Sequence, residues 1–305
     1  MDMTTILTQM GTLVFIMVVG FFCAKIGLAG PAFTGSASSV VINVLLVFTI
    51  LYSVMDIEME LSLGEIGLYM LYFTLLLLIM AAVAFAAMKL LKIKLPESGI
   101  SMFAITFPNT VFMAFPVINA VFGPEGVFIA SLSNIPFNLL NYTLGVAQIR
   151  GGLAGMSVRK AMGPPLVASV LAVALFLSGM EVPGPVKETF GTLSGATVPL
   201  SMLIVGVSLG SLPLKKALLN WRAYVVAAFR LLFSPLMTYA VLRLLGVDEL
   251  MLGTSVILFS APPAMVLTLI TIQCGSDEAY ASECVFIGTV LSALTMPATI
   301  WLLLM

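Results

Sequence analysis

The sequence predicts an all-α polytopic membrane protein: ten transmembrane helices form two inverted repeats of five, and helices 4 and 9 are broken at prolines and cross. The composition, ten apolar stretches and a matched pair of proline-broken stretches support this prediction. Of 305 residues, 61% are hydrophobic and only 9% are charged, with a mean hydropathy of +1.17. Such a composition is typical of multi-span membrane proteins. The charge balance of 13 basic to 14 acidic residues gives no indication of a nucleic-acid partner.

Ten stretches reach the roughly 20 apolar residues that a helix needs to span a bilayer. They cover residues 5–28, 34–55, 63–90, 98–122, 125–148, 161–180, 188–211, 217–245, 249–273 and 279–304, numbered here as spans 1 to 10. The first stretch lacks a basic region and a small-residue cleavage site before or after its apolar run. We therefore interpret it as a retained span rather than as a signal peptide.

The distribution of lysine and arginine predicts the orientation. If the N-terminus lies outside, ten basic residues flank the spans on the cytoplasmic side and only Lys187 and Arg243 lie outside. The ten are Lys25, Lys89, Lys92, Lys94, Arg150, Arg159, Lys160, Lys215, Lys216 and Arg222. Because basic residues favour the cytoplasmic side, both termini are expected to face outward.

The two halves of the chain match at a constant spacing. Phe259 follows Phe107 by 152 residues, as Gly275 follows Gly123 and Asp277 follows Glu125. This spacing divides the chain into a first repeat, residues 1–150 with spans 1–5, and a second, residues 151–305 with spans 6–10. An odd number of spans per repeat inverts the second repeat, so Glu125 and Asp277 would cap helices at opposite membrane faces. Chance similarity between apolar segments is the alternative, and the matched breaks favour the repeat.

Both broken spans are interrupted near their midpoints, at Pro108-Asn109-Thr110 in span 4 and at Pro262-Pro263 in span 9. Proline lacks an N–H group and ends the preceding helix, so each break begins a new half-helix with open N–H groups and a positive dipole end. Asn109 and Thr110 are residue types that cap such a start. An inverted repeat would bring the two starts together, which predicts an anion site without a buried base. A purely structural proline kink is the alternative.

Span 5 carries a polar stripe of Asn134, Asn138, Asn141 and Tyr142, at helical spacing. In a membrane such side chains must face protein or water, so Asn138 and Tyr142 are candidate substrate ligands. The alternative is that the amides join neighbouring helices. Asn43, which is the amide of span 2, is a further candidate for the same cavity.

Other polar residues receive structural interpretations. Arg230 lies deep in span 8 but has Leu78 as its repeat mate, so we expect it to snorkel or to hold a carbonyl. Glu283 is interpreted as a solvated helix end, and Asp56, Glu58 and Glu60 as a solvated outer loop. The small residues and Pro199 of span 7 are expected to serve close packing. The chain has no histidine, and Cys23, Cys274 and Cys284 are interpreted as buried free thiols.

These segments resemble the auxin efflux carrier family, which includes plant PIN-type carriers and bacterial organic-acid carriers. The resemblance rests on PNTVFMAFPVINAVFG at Pro108 to Gly123, on ATVPLSMLIVGVSLG in span 7, on SAPPAMVLTLITIQCG in span 9 and on VFIGTVLSALTMP near the end. It covers essentially the whole chain. The loop RGGLAGMSVRK between spans 5 and 6 is short, which resembles bacterial members and implies an inner-membrane protein of a bacterium or archaeon.

The resemblance implies ten helices in two inverted repeats, with a scaffold domain of spans 1, 2, 6 and 7 and a transport domain of spans 3–5 and 8–10. It further implies dimers formed through the scaffold. It also implies that Asn109, Asn138 and Tyr142 hold a substrate carboxylate near the crossing, with Val266 as an apolar neighbour.

The predicted function is that of a secondary transporter that exports a small organic anion, either auxin-like or a mono- or dicarboxylate, by alternating access. The predicted partners are this anion, the lipid bilayer and a second copy of the chain, and no cofactor or metal is expected. A sodium- or proton-coupled symporter of bile-acid type is one alternative, although no acidic or amide side chain lies between Ser260 and Thr268. A non-transporting sensor is another. An intramembrane enzyme is disfavoured because no histidine is available as a base or ligand.

Overall fold

A computed structural model describes residues 3–55, 61–152, 159, 162–211 and 219–304. All the named secondary structure within these ranges is helical. We label the helices α1 Met3–Lys25, α2 Pro31–Tyr52, α3 Leu63–Leu90, α4 Glu97–Thr106, α5 Thr110–Arg150, α6 Pro164–Ser178, α7 Gly184–Ser211, α8 Trp221–Leu245, α9 Glu249–Ser260, α10 Val266–Gln273 and α11 Glu278–Leu304.

Six of these helices are long and apolar enough to cross a membrane, among the described residues. They are α2, α3, α5, α7, α8 and α11, and shorter apolar helices occur at 11–25, 164–178 and 249–260. The chain is therefore a multi-pass membrane protein by helix length and composition.

The helices are interrupted at both predicted prolines. Helix α4 ends at Thr106, after which Phe107 is extended with φ −102° and ψ 114°. Helix α9 ends at Ser260, after which Ala261 is extended with φ −65° and ψ 150°. The backbone bends sharply once more inside α5, where Gly123 has φ 64° and ψ −154°. Each proline ends its helix because it cannot donate to the preceding turn.

The chain divides into two compact units. The first unit consists of residues 1–70, 111–135 and 162–212, and the second of 71–110, 136–161 and 213–305. Both units combine segments from the two halves of the sequence, so the order of elements along the chain differs from their grouping in space.

Within the first unit, α1 and α7 pack at backbone contact. A Cβ atom added to Gly206 would lie 1.9 Å from the carbonyl oxygen of Met17, and one added to Gly20 would lie 2.3 Å from that of Leu203. Gly206 and Gly210 form the small-xxx-small spacing that allows such an approach between membrane helices. The prediction that the small residues of span 7 serve close packing is confirmed. Thr49 of α2 adds a buried hydroxyl contact of 2.7 Å to Thr197.

Within the second unit, polar contacts join the N-terminal ends of α4, α8 and α11. Glu97 forms an ion pair with Arg222, and the hydroxyl groups of Ser101 and Tyr280 lie 2.7 Å apart. Side chains also cap helix starts: Asp248 accepts from the N–H of Met251 in α9, and Asp277 accepts from that of Tyr280 in α11. The predicted cap at Asp277 is thus confirmed.

Several turns in the chain require glycine because their φ angles are positive. Gly123 and Gly275, which are 152 residues apart, have the same φ of 64°. Gly27 and Gly179 are separated by the same spacing and have φ angles of 78° and 60°. Residues other than glycine rarely adopt this conformation, so the recurrence is a local backbone feature shared by the two halves.

Candidate functional site

The two broken segments of the second unit meet each other directly. The N–H of Asn109 donates to the carbonyl of Pro262 at 2.7 Å, and the N–H of Ala264 donates to the carbonyl of Phe107 at 3.0 Å. Pro108 and Pro263 face each other between these bonds as an isolated antiparallel bridge. Because neither proline has an N–H group, this pair of bonds satisfies the extended backbone on both sides of the meeting point.

Four helix ends adjoin this meeting point. Helices α4 and α9 reach it with their C-terminal ends, at Thr106 and Ser260, whereas α5 and α10 leave it with their N-terminal ends, at Thr110 and Val266. A helix N-terminus carries a partial positive charge and N–H groups without intrahelical acceptors, and a C-terminus carries the opposite charge. The site therefore contains two ends of each sign.

Arg230 of α8 contacts both C-terminal ends. Its side chain is fully buried, and it donates to the carbonyl oxygens of Ile105 at 2.9 Å and Thr106 at 3.3 Å. On the other side it donates to those of Phe259 and Ala261, both at 2.9 Å. The predicted structural role, that of holding a carbonyl, is confirmed, and the guanidinium holds four of them.

The predicted residues of the first break are all buried. Asn109 retains 3% and Thr110 retains 2% of their surface exposure. Both backbone N–H groups already have acceptors: that of Asn109 donates to the carbonyl of Pro262 at 2.7 Å, and that of Thr110 to the carbonyl of Pro108 at 3.0 Å. Neither backbone N–H group is therefore available to an anion.

The helix start after the second break is less buried than the residues of the first break. Pro262 and Pro263 are buried, but Met265 and Val266 are half-buried at the first positions of α10. The position of Pro263 depends on Gly288 of α11, where an added Cβ would lie 2.3 Å from the proline Cδ. Sequence reasoning missed this role of Gly288, for which a glycine within an apolar helix is the only signal.

The part of α5 that belongs to the second unit, residues 136–150, packs on the residues before the first break. The Phe137 and Phe107 rings lie 5.8 Å apart, and Gly145 has no Cβ where one would lie 2.6 Å from the Phe103 ring. The side chain of Gln148 donates to the hydroxyl of Thr106 at 3.2 Å. These contacts were not predicted, because aromatic and glycine positions in an apolar span carry little sequence signal.

The four residues of the polar stripe differ in how deeply their side chains are buried. Asn134 and Asn141 are buried, and Asn138 and Tyr142 are half-buried. Residues Asn141–Gly145 form a single turn of π-helix, which shifts the register of the stripe by one position. Of the predicted ligands in this helix, Asn138 and Tyr142 are therefore the two with accessible surface.

Asn43 belongs to the first unit and lies in a π-helical turn, Val41–Leu45. Its side chain is exposed, and its amide nitrogen donates to the carbonyl and hydroxyl oxygens of Ser39 at 2.9 and 3.1 Å. The other predicted site residues belong to the second unit.

Two sequence interpretations were wrong in part. Glu283 is a half-buried acceptor of a 2.7 Å hydrogen bond from Asn220 rather than a solvated helix end. All three cysteines are free, but Cys284 alone is buried, and Cys274 contacts Arg150 at 3.4 Å. The predicted outer loop with Asp56, Glu58 and Glu60 lies outside the described residues.

Comparison with known proteins places the chain among membrane transport proteins. A family model described as membrane transport protein matches residues 5–160 and 153–301. An uncharacterized transporter of Methanothermobacter thermautotrophicus is 32% identical over 64% of each chain. A second one, from Methanocaldococcus jannaschii, is 29% identical over 64% of this chain and 65% of its own length.

A further relative is a putative malonate transporter of Rhizobium meliloti, 30% identical over 49% of this chain and 46% of its own. The matches thus span less than two thirds of each of these relatives. The family model, in contrast, covers nearly the whole chain. This chain belongs to the auxin efflux carrier-like family of membrane transport proteins.

Proposed function

We propose that this protein is a secondary transporter that moves a small organic anion, a carboxylate, out of the cell by alternating access. The observation that carries the proposal is the meeting of the two proline breaks, joined by the bonds of Asn109 to Pro262 and of Ala264 to Phe107. Unwound backbone inside a membrane protein occurs where protein or a water-filled cavity satisfies it, and it is typical of substrate sites.

The proposed architecture is ten helices in two inverted repeats, residues 1–150 and 151–305. In its support, α4 begins at Glu97 and α9 at Glu249, which are 152 residues apart. The positive-φ glycines at 27 and 179 and at 123 and 275 recur at the same spacing. Turns and helix starts that share one spacing favour duplication over chance similarity.

In the proposed site, the carboxylate lies against the positively charged N-terminal ends of α5 and α10. Asn109, Asn138 and Tyr142 would donate hydrogen bonds to it, and Val266 would contact its apolar part. The backbone around it is shaped by Pro108, Thr110, Pro262 and Pro263. Charge-assisted bonds of this kind favour an anion over a neutral acid.

The proposed transport cycle moves a transport domain, spans 3–5 and 8–10, against a scaffold of spans 1, 2, 6 and 7. The scaffold would also form a homodimer, which cross-linking in native membranes would detect. Export needs no coupling ion, because an interior-negative potential of 100 mV favours the exit of each negative charge by about 2.3 kcal/mol. Both termini would face the outside of an inner membrane.

The first substrate to test is a dicarboxylate, because a relative is described as a putative malonate transporter. Malonate, further mono- and dicarboxylates and indole acids would be screened by thermal shift in detergent. A ligand that binds the folded protein raises its apparent stability by mass action. The acid with the largest shift would then be used for flux in proteoliposomes.

Replacing Asn109 by alanine tests the site. We expect Asn109→Ala to abolish flux and to reduce the thermal shift by the acid, while the unliganded melting temperature stays within a few degrees of the wild type. Asn119→Ala, which changes an exposed asparagine, is the control with flux retained. Flux through Asn109→Ala at the wild-type rate would reject the site, and binding without flux in the wild-type protein would favour a sensor.

A further inference from the structure

The meeting point of the two broken segments, called the crossing from here on, carries partial charges that can be counted from its helix ends. The C-terminal ends of α4 and α9 each carry about half a negative elementary charge, and the N-terminal ends of α5 and α10 each carry about half a positive one. The four partial charges alone sum to roughly zero. Such a crossing has no preference for an anion over a cation.

Arg230 changes this sum. It carries one positive charge and donates four hydrogen bonds, all to carbonyls at or next to the two negative ends. Its charge matches the roughly one negative charge of these two ends together. With the negative ends neutralised, about one positive charge remains on the starts of α5 and α10, which equals the charge of one carboxylate.

The hydrogen-bonded bridge between α4 and α9 requires the shape of an arginine side chain. The planar guanidinium contacts the α4 carbonyls through Nη1 and the α9 side through Nε and Nη2, so one group bridges both helices. A lysine ammonium is a point charge with three donors and cannot reproduce this fork. Arg230 lies in a single π-helical turn, Phe229–Phe233, and its Cζ also lies 5.4 Å from the centre of the Phe259 ring.

A buried charge is costly unless it is compensated, and a membrane interior makes it more so. Among the described contacts of Arg230 the acceptors are backbone carbonyls, and no carboxylate is included. A carboxylate partner would cancel the positive charge of Arg230. Because the C-terminal ends of α4 and α9 compensate the charge of Arg230 instead, the N-terminal ends of α5 and α10 remain available to a ligand.

We propose that Arg230 is a positioning and specificity-determining residue: by neutralising the C-terminal ends of α4 and α9, it makes the crossing selective for a carboxylate. This inference rests on the proposed anion site and adds the origin of its charge preference. It predicts that the charge of residue 230 sets anion affinity separately from any effect of this residue on folding.

A charge series at residue 230 tests the proposal, with malonate and the other carboxylates of the panel as probes. We expect Arg230→Met to weaken carboxylate binding at least tenfold, whereas Arg230→Lys, which keeps the charge but loses the fork, stays within a few-fold of the wild type even if its melting temperature falls. Equal affinity in folded Arg230→Met and wild-type protein would overturn the proposal.

Arg230→His adds a readout that a purely structural role would not change. The native chain has no histidine, so an imidazole at residue 230 would be the only one present. Between pH 5.5 and 8.5, we expect carboxylate affinity in this variant to fall as pH rises and the imidazole loses its charge, with little change in the wild type. Identical pH profiles would contradict the proposal.

If the variants at residue 230 fail to fold, a pair at Thr106 keeps the arginine in place. Thr106→Asp adds a buried negative charge at a residue whose carbonyl accepts from Arg230, and Thr106→Asn is its neutral match in shape. We expect only the aspartate to weaken carboxylate binding, by tenfold or more, and equal binding by both variants would overturn the proposal. Absence of carboxylate binding in the wild type would instead reject the proposed function.

Discussion

Gly288 shows how a single residue without a side chain positions the crossing. An added Cβ would lie 2.3 Å from the Cδ and 3.0 Å from the Cγ of Pro263. A proline ring in a buried, hydrogen-bonded segment cannot turn away as a flexible side chain can. The absence of a Cβ at residue 288 therefore sets how closely α11 approaches the second break.

We expect Gly288→Ala to lower stability by roughly 1–3 kcal/mol, the usual range for overpacking a core. The measurement is the melting temperature in detergent. Gly67→Ala is the control, because Gly67 is exposed in α3 and an added Cβ meets nothing within 4 Å. In that helix alanine is favoured over glycine by roughly 0.5–1 kcal/mol. Equal melting temperatures for the two variants would contradict the role of Gly288.

Thr238 of α8 presents a different case. Its side chain is fully buried, and its hydroxyl has no hydrogen-bond partner among the described residues. Burying such a group without a partner costs about 1–3 kcal/mol. Valine has nearly the same shape and removes the hydroxyl.

We therefore expect Thr238→Val to leave the melting temperature unchanged or to raise it. Ser101→Ala is the contrasting variant, since it removes one partner of the 2.7 Å contact with the Tyr280 hydroxyl and should lower stability. A marked loss of stability in Thr238→Val would show that the hydroxyl has a partner, such as a buried water, that is essential to the fold.

In the part of the chain that the structure describes, four π-helical turns contain residues that the sequence singled out. They occur at Val41–Leu45, Thr110–Ala114, Asn141–Gly145 and Phe229–Phe233. They contain Asn43, Thr110, Tyr142 and Arg230, respectively. Single π turns inside α-helices frequently occur at functional sites, because the extra residue reorients a side chain. This coincidence is consistent with the proposed roles of these residues.

The paired prolines keep α9 and α10 apart as separate helices. We expect the double variant Pro262→Ala, Pro263→Ala to extend the helix through residues 261–265, because alanine restores the N–H groups and favours helix. The start of α10 would then lose its open N–H groups, and carboxylate affinity would fall at least tenfold in the thermal-shift assay.

Pro297→Ala is the matched control for these prolines, because Pro297 lies inside α11 without ending it. This variant should bind carboxylate as the wild type does. If the double proline variant binds with wild-type affinity, the helix break is not part of the anion site.

At the scale of the whole molecule, the sequence predicted the features that depend on local chemistry. Proline ends a helix whatever its surroundings, so the breaks at Pro108 and at Pro262 were predictable, and mean hydropathy predicted the helices. The four acceptors of Arg230 were not predictable, since they come from two helices in opposite halves of the chain. The packing of Gly145 on Phe103 depends on tertiary structure in the same way.

The orientation with both termini outside is a prediction that labelling can test. With the three native cysteines replaced by serine, we expect an impermeant maleimide to label Glu181→Cys in intact cells, since this residue lies in the predicted outer loop. Lys92→Cys, in a predicted cytoplasmic loop, should react only after permeabilisation. Both positions are exposed, so access rather than burial decides the outcome. The reverse pattern would invert the predicted topology.

The bonds between the two breaks also constrain how the protein is made. Phe107 and Asn109 are synthesised early, and their partners Ala264 and Pro262 come late in translation. Until then, a polar backbone segment has entered the bilayer without its hydrogen-bond partners, an arrangement that lipid cannot satisfy. We expect a chain truncated before residue 249 to be degraded faster than the full chain in a pulse-chase experiment. Membrane proteases would then act on an insertion intermediate whose backbone at the first break lacks its hydrogen-bond partners.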